Sequence, residues 1–212
     1  MRHARAVTAV SPVAAAPASR LGVEPVVVPN AIRLPADVPN LSGRGPHVSF
    51  VGRIEPRKGL DVLLAAWPEV VRAVPGAHLH VISHSEGAAG PGITFHSNLT
   101  DDQRDEMLAG SAVFVAPNRR GESFGITVAE AMAQGCAIVA SDLPAFRHVG
   151  GEALTYVPAG DPVALANAVS QLLNDEPRRV ALARNASSTA QKYDWHAVGD
   201  VYLEMYHNAV HS

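Results

Sequence analysis

The chain has one cysteine, Cys136, among its 212 residues. A single thiol cannot form an intrachain disulfide, and such sparing use fits a reducing compartment. Cys136 follows Gly135 and opens the apolar run Ala137-Ile138-Val139, so it is expected to be a small buried hydrophobe. No apolar run reaches about eighteen residues, and no segment is expected to span a membrane. Positive charge is not in excess either. Seventeen Lys and Arg face twenty Asp and Glu, a net charge of -3, which argues against a nucleic-acid binder working through a basic field. Internal repeats are absent. So is the glycine fingerprint of NAD enzymes after the first strand.

Three other features lead nowhere. His78 and His80 alternate on one strand face without a clear third metal ligand, so a solvated sheet face is expected and no metal. The glycine run Gly87-Ala88-Ala89-Gly90-Pro91-Gly92 precedes a strand and contains proline, which suits a flexible loop rather than a dinucleotide turn. The start Met1-Arg2-His3-Ala4-Arg5 superficially suggests a targeting peptide, but Pro12, Pro17 and weak hydrophobicity argue against one.

What is present is a 47% hydrophobic composition, enough for a core in one domain or one domain plus an appendage. Seven of the sixteen prolines fall in the first 46 residues. There, 6–11 and 26–28 read as strands, and 31–46 as a linker. From His47 the texture changes to alternating strands and helices. Strands are expected at 47–51, 77–82, 93–95, 112–116, 137–140 and 153–157. Helices are expected at 59–73, 101–108, 125–134, 161–174, 178–192 and 195–209, with a short turn around Phe146. The first helix carries an apolar face of Leu60, Leu63, Leu64, Trp67 and Val71. Such alternation predicts an α/β, Rossmann-like parallel sheet with helices on both faces, and ligands at the carboxyl ends of its strands.

Two loops fall at such ends. Gly121-Glu122-Ser123-Phe124-Gly125 leads from a buried strand into a helix bearing Glu130. Two carboxylates thus flank a helix N-terminus, which offers N–H groups and a positive dipole end to an anion. The span between them, on the order of 12 Å, suits a ligand with hydroxyls at both ends and an anion between, as in a nucleotide diphosphate sugar. The same residues also fit a loop acid and a solvated helix residue. In the second loop, Gly52-Arg53-Ile54-Glu55-Pro56-Arg57-Lys58-Gly59, two cations each stand beside a glycine. That suits a diphosphate needing charge neutralisation and close backbone approach, although a basic surface loop reads the same way. It is not a Walker loop, because Arg57 stands where glycine would precede the lysine.

These segments together resemble the retaining glycosyltransferases of the GT-B fold, the E-x(7)-E family that includes sucrose synthases and bacterial mannosyltransferases. Glu122 and Glu130 supply that signature. Gly121 to Gly125, Ala140-Ser141-Asp142-Leu143 with Ala145-Phe146-Arg147, and Tyr193-Asp194-Trp195 are similar to its actinobacterial phosphatidyl-myo-inositol mannosyltransferase branch. The resemblance runs from about Val26 to Val210. It implies that Arg53 and Lys58 bind the donor diphosphate and that Glu122 contacts the transferred sugar. It also implies that Glu130 holds the ribose, that backbone N–H groups at Ser123, Phe124 and Gly125 approach sugar and phosphates, and that the loop from His96 through Asn98 and Leu99 lines the base pocket. Gly52, beside Arg53, belongs to the same binding set. The implied chemistry is front-face substitution with retention. Glu122, Arg53 and Lys58 serve it by orienting the sugar and stabilising the leaving diphosphate.

The implied donor is GDP-mannose or another nucleotide diphosphate sugar, with no further cofactor, and the acceptor a lipid or saccharide. The implied location is cytoplasmic, at the inner face of the membrane, with peripheral membrane contact. Family members are about twice this length. Residues 1–30 therefore read as a remnant of a preceding acceptor domain and its crossover. Residues 47–193 read as the nucleotide-sugar domain and 194–212 as a crossing helix. Asp194 is expected to cap that helix and Trp195 to pack it. Its apolar face (Val198, Tyr202, Met205, Tyr206) is expected to stay exposed for a partner acceptor half or for self-association. The chain is then expected to bind donor and transfer little alone. Two departures stand out: Val81-Ile82-Ser83-His84-Ser85-Glu86-Gly87 stands where relatives usually carry a glycine-rich turn after the strand, and Asn118-Arg119-Arg120 adds basic charge beside the site. Two alternatives stay open, a non-catalytic nucleotide-sugar module needing a partner chain and a GT-B-fold sugar epimerase or phosphorylase.

Overall fold

The computed structural model describes residues 6–37, 39–87 and 90–211. The targeting-like start at 1–5 and the centre of the glycine run, Ala88-Ala89, lie outside them. Eight strands are numbered in chain order: β1 Thr8–Ala9, β2 Val26–Val27, β3 His47–Val51, β4 His78–Ile82, β5 Ile93–His96, β6 Val113–Ala116, β7 Ala137–Ser141 and β8 Thr155–Val157. The helices are α1 Pro12–Ser19, α2 Leu60–Ala73, α3 Asp101–Gly110, α4 Ile126–Ala133, α5 Pro144–Gly150, α6 Pro162–Asn174, α7 Glu176–Ala190 and α8 Trp195–His211.

Strands β3 to β8 form one six-stranded sheet in the order β5-β4-β3-β6-β7-β8, parallel at every pairing. The central strands are apolar on both faces because helices cover both. Val48, Phe50, Val113 and Val115 point to the layer holding α2 and α6, with Trp67, Leu165 and Val169. Phe114, Ala116, Ile138 and Ala140 point to the layer of α4, α5 and α7, with Phe124, Met132 and Phe146. The buried stripe of α2 is Leu60, Val62, Leu63, Ala66, Trp67 and Val70. It is rotated slightly from the expected face, leaving Leu64 and Val71 half-buried.

The chain leaves β3 towards β4 and β5 on one side, then returns through α3 to β6 on the other side of β3. Between β3 and β6 the winding direction reverses. Their carboxyl ends open a crevice there, where ligands of such sheets bind.

Several expectations need correction. The strand expected at 6–11 is only Thr8–Ala9, paired in parallel with Val26–Val27. It gives way to α1, which Pro12 opens and which tolerates Pro17. Proline content hid this helix, though a Pro at the first position is favourable. The turn around Phe146 is α5, with Pro144 in its first turn. A short 3-10 turn covers Gly151–Ala153, so the last strand starts at Thr155. The segment 31–46 is irregular yet anchored. Ile32 is 2% exposed, bridges in parallel to Asp194 and donates its N–H to Tyr193 O at 2.8 Å. Arg44 donates to the carbonyls of Ser111, Gly135 and Gln134 at 2.8, 2.9 and 3.0 Å. Cys136 is fully buried, which pushes its thiol up to about 12.

Helix α8 differs in part from expectation. Asp194 caps it, accepting from His196 N at 3.2 Å. Val198 is buried and Trp195 is 64% exposed, the reverse of what the sequence suggested, while Tyr202 and Tyr206 are exposed as expected. No helix among the described residues is long and apolar enough to cross a membrane.

Candidate functional site

Gly59 brings the two loops together. It adopts φ +70, and a Cβ there would lie 1.9 Å from the Pro117 carbonyl oxygen. Only glycine lets the turn entering α2 press against the exit of β6. The backbones are joined alongside, Arg119 N donating to Arg57 O at 2.9 Å. Lys58, immediately before that glycine, reaches Glu122 with Nζ 2.8 Å from Oε2. Asn118 Nδ2 donates to the same oxygen at 3.0 Å, and Ser123 N donates to Oε1 at 3.2 Å.

Both side chains are largely shielded, Lys58 at 17% and Glu122 at 13% exposure. Burial alone would raise the Glu122 carboxyl. The Lys58 hydrogen bond and charge, with backbone N–H groups of Phe124 and Ser123, outweigh it and hold the group below its ordinary value. Glu122 is therefore an ionised, fixed acceptor. Arg53 sits at the same loop's mouth, 65% exposed, with Nε 3.0 Å from Glu55 Oε1. Arg57 takes the other oxygen of Glu55 at 2.7 Å.

A cleft of about 370 Å³ lies over these carboxyl ends. Of the expected site residues, Gly52, Arg53, Lys58, Asn98, Leu99 and Glu130 line it. Ile126 and Thr127 also line it, so α4 points its N-terminus inward. Gly125 makes that start possible with φ +99, and a Cβ there would press Phe146 at 2.9 Å. Asn98 is the single non-glycine residue with positive φ, +57, among the described residues. Glu122, Ser123, Phe124 and Gly125 are outside the lining. The Phe124 side chain is core, edge-on to Tyr193 at 5.3 Å, so only its backbone can serve a ligand. Ser83 and His84, the departure from the glycine-rich turn, are part of the wall.

Sequence reading missed Arg104. It lines the cleft and places Nη2 3.2 Å from Glu130 Oε1, and its Nε is buried without a hydrogen-bond partner. Burial raises Glu130, Arg104 opposes the rise, and Asp105 and Asp101 add to it. The signal was the capping box of α3, Thr100 with Gln103, which fixes the helix start and hence which face Arg104 takes.

The histidines are not simply solvated. His47 Nδ1 lies 3.1 Å from His80 Nε2, and His80 Nδ1 lies 3.1 Å from His96 Nε2. His78 Nε2 meets Thr94 Oγ1 at 2.9 Å. Burial, then the neighbouring His78, His47 and His96, push His80 down to about 4. Among the described residues no group of three or more His, Cys, Asp or Glu is arranged to hold a metal. Of the two added arginines, Arg119 is paired with Asp61 and Arg120 lies exposed.

A six-stranded parallel sheet flanked by helices, with cations and carboxylates at its switch point, defines a doubly wound α/β domain. Residues 45–175 match the family model described as glycosyl transferases group 1. The chain is 36% identical over 202 residues to phosphatidyl-myo-inositol mannosyltransferase of Mycolicibacterium smegmatis, covering 88% of this chain and 52% of that one. It is 32% identical over 194 residues to D-inositol 3-phosphate glycosyltransferase of Segniliparus rotundus, covering 77% and 40%. The crystal structure of Anabaena HepE in complex with UDP and glucose superposes with TM-score 0.81 at 18% identity, covering 98% of this chain and 64% of that one. The chain belongs to the group 1 glycosyltransferases, and its fold is that of GT-B glycosyltransferase structures. It spans about half the length of the curated relatives it matches.

Proposed function

We propose that this chain is the donor-binding half of a retaining hexosyltransferase, taking GDP-mannose or another nucleotide diphosphate sugar. The observation that carries the reading is the Lys58–Glu122 pair at the switch point, beside the inward N-terminus of α4. An ammonium has three donors. With one on Glu122, Lys58 keeps others for phosphate oxygens, and exposed Arg53 can leave Glu55 for the same anion. Charge on a departing diphosphate is what such a transfer most needs stabilised. Ionised Glu122 cannot donate a proton near neutral pH. It suits accepting from sugar hydroxyls and stabilising an oxocarbenium-like centre. Glu130 and Arg104 at the other end suit a ribose and base, beside Asn98 and Leu99.

The mannosyl donor and lipid acceptor follow the names of the relatives, and a cytoplasmic place at the membrane face is proposed with them. Residues 1–30 serve as the remnant of an acceptor domain and its crossover, 31–46 as linker, 47–193 as the donor domain and 194–212 as the crossing helix. As a donor-binding half, this polypeptide is expected to transfer little by itself. A thermal-shift panel of nucleoside diphosphates and their sugars tests the reading, since a ligand stabilises by RT ln(1 + [L]/Kd). Stabilisation by GDP-mannose beyond every other sugar nucleotide is expected. No shift with any nucleotide, or robust transfer by this chain alone, refutes it.

A second reading follows from the exposed apolar face of α8. The chain works with a separate partner supplying the acceptor side, docked on exposed Tyr202, Leu203 and Tyr206. Restored transfer on adding an acceptor half in trans supports this, and donor binding without any restoration counts against it.

A further inference from the structure

We infer that Ser11, far from the cleft loops in sequence, is a positioning residue for the donor side: its hydroxyl fixes the Ser123–Phe124 peptide so that the Phe124 N–H faces the Glu122 carboxylate. The role in donor recognition rests on the reading above.

Ser11 is wholly buried. It precedes α1 in an extended conformation, φ -162 and ψ 166, and caps it by accepting from Ala14 N at 3.1 Å. A hydroxyl has one proton to give. With the Ala14 N–H directed at a lone pair, that proton goes to the carbonyl oxygen of Ser123, 112 residues away. Both roles of the hydroxyl are thus assigned, and its rotor is fixed.

The consequence follows from peptide planarity. In a trans peptide the C=O and the following N–H point in opposite directions, and no described peptide is cis. Holding Ser123 O against the N-terminal segment therefore turns the Phe124 N–H the other way. That side carries Glu122, which the backbone at Phe124 and Ser123 helps keep ionised. The Phe124 ring is held separately, edge-on against Tyr193. Losing the Ser11 hydroxyl therefore frees the peptide plane to rotate while the ring keeps the loop in place. Glu122 then loses a donor and its aim, not its position in the fold.

The test uses the full chain, with carbon-detected NMR of the Glu122 carboxyl and calorimetric binding of GDP-mannose and GDP. In Ser11→Ala the Glu122 titration is expected to move up towards the ordinary glutamate range. The GDP-mannose to GDP affinity ratio is expected to fall about fivefold, the size of one net hydrogen bond. Ser11→Thr keeps the hydroxyl and is expected to restore both. Ser11→Cys keeps the buried volume with only a weak donor and moves both in the direction of Ser11→Ala, which covers the case in which alanine fails to fold. Parent-like titration and ratio in Ser11→Ala or Ser11→Cys overturn the inference. If the parent binds neither nucleotide, the donor reading fails, and the Glu122 titration alone still decides for or against the positioning of Glu122 by Ser11.

Discussion

Lys58 Nζ lies 2.8 Å from Glu122 Oε2 across 64 residues of sequence. The contact joins the exits of two adjacent central strands and makes one site of two loops. Its value to the fold is conditional. A surface pair contributes little, and a shielded one mainly penalises removal of one partner.

Lys58→Ala is therefore expected to cost about 2–3 kcal/mol, because it strands a shielded carboxylate. Lys58→Ala with Glu122→Gln is expected to recover a good part of that. Urea unfolding of parent, singles and double gives the coupling. Additive losses would mean that the pair is not coupled. Because Glu122 is held below its ordinary value, its contribution is present at neutral pH and lost as pH falls through the depressed pKa. The cost of Lys58→Ala should shrink below about pH 4.

Gly59→Ala probes the same junction through the backbone. The added Cβ meets Pro117 O at 1.9 Å in a left-handed conformation, and a backbone carbonyl cannot yield as a side-chain tip can. A loss of about 2–4 kcal/mol is expected, with weakened nucleoside diphosphate binding as Lys58 is displaced. Gly76→Ala is the control, also at positive φ but with open space around its Cβ position. It should cost only the strain, about 1 kcal/mol. Equal losses at both glycines would remove the steric account.

The parallel sheet was legible in the sequence because strands buried on both faces are apolar runs, and His47–Val51 and Val113–Ala116 lead straight into polar loops. Lys58 and Glu122 were each legible as residues of strand exits on one sheet edge, but the ion pair between them was not. What was hidden depends on contacts between distant segments. Pro12 and Pro17 masked α1, although Ser11-Pro12 is a sound helix start. Trp195 looked like a packing residue, and Val198 took that place because α8 turns its other face inward. Arg104 sits on a helix correctly expected from sequence, but its partner Glu130 is on another element. No local pattern shows that.

The histidine row predicts a pH response. His80 is pushed down to about 4 in the folded chain from an ordinary 6.5. Between those values the unfolded chain binds more protons, so stability rises with pH across the window and is lost as pH falls through it. His47, His78 and His96 face His80. His80→Gln should flatten the fall in melting temperature between pH 7 and pH 5. A parent and variant falling in parallel would place the acid sensitivity elsewhere.

Arg104 and Glu130 give the opposite sign. Burial raises the Glu130 carboxyl, and Arg104 holds the rise in check. A carboxyl raised on folding contributes stability in its neutral form, present below the unfolded pKa and lost as pH rises through the folded one. Arg104→Met removes the opposing cation and raises Glu130 further, so its destabilisation should be small near pH 4 and grow towards pH 7. Adding Glu130→Gln should remove that growth, because no carboxylate is then left buried beside Asp101 and Asp105. Unfolding free energies at four pH values, for parent, single and double variants, read this directly. A pH-independent loss in Arg104→Met would show that its stem packs against the fold and its charge does not govern Glu130.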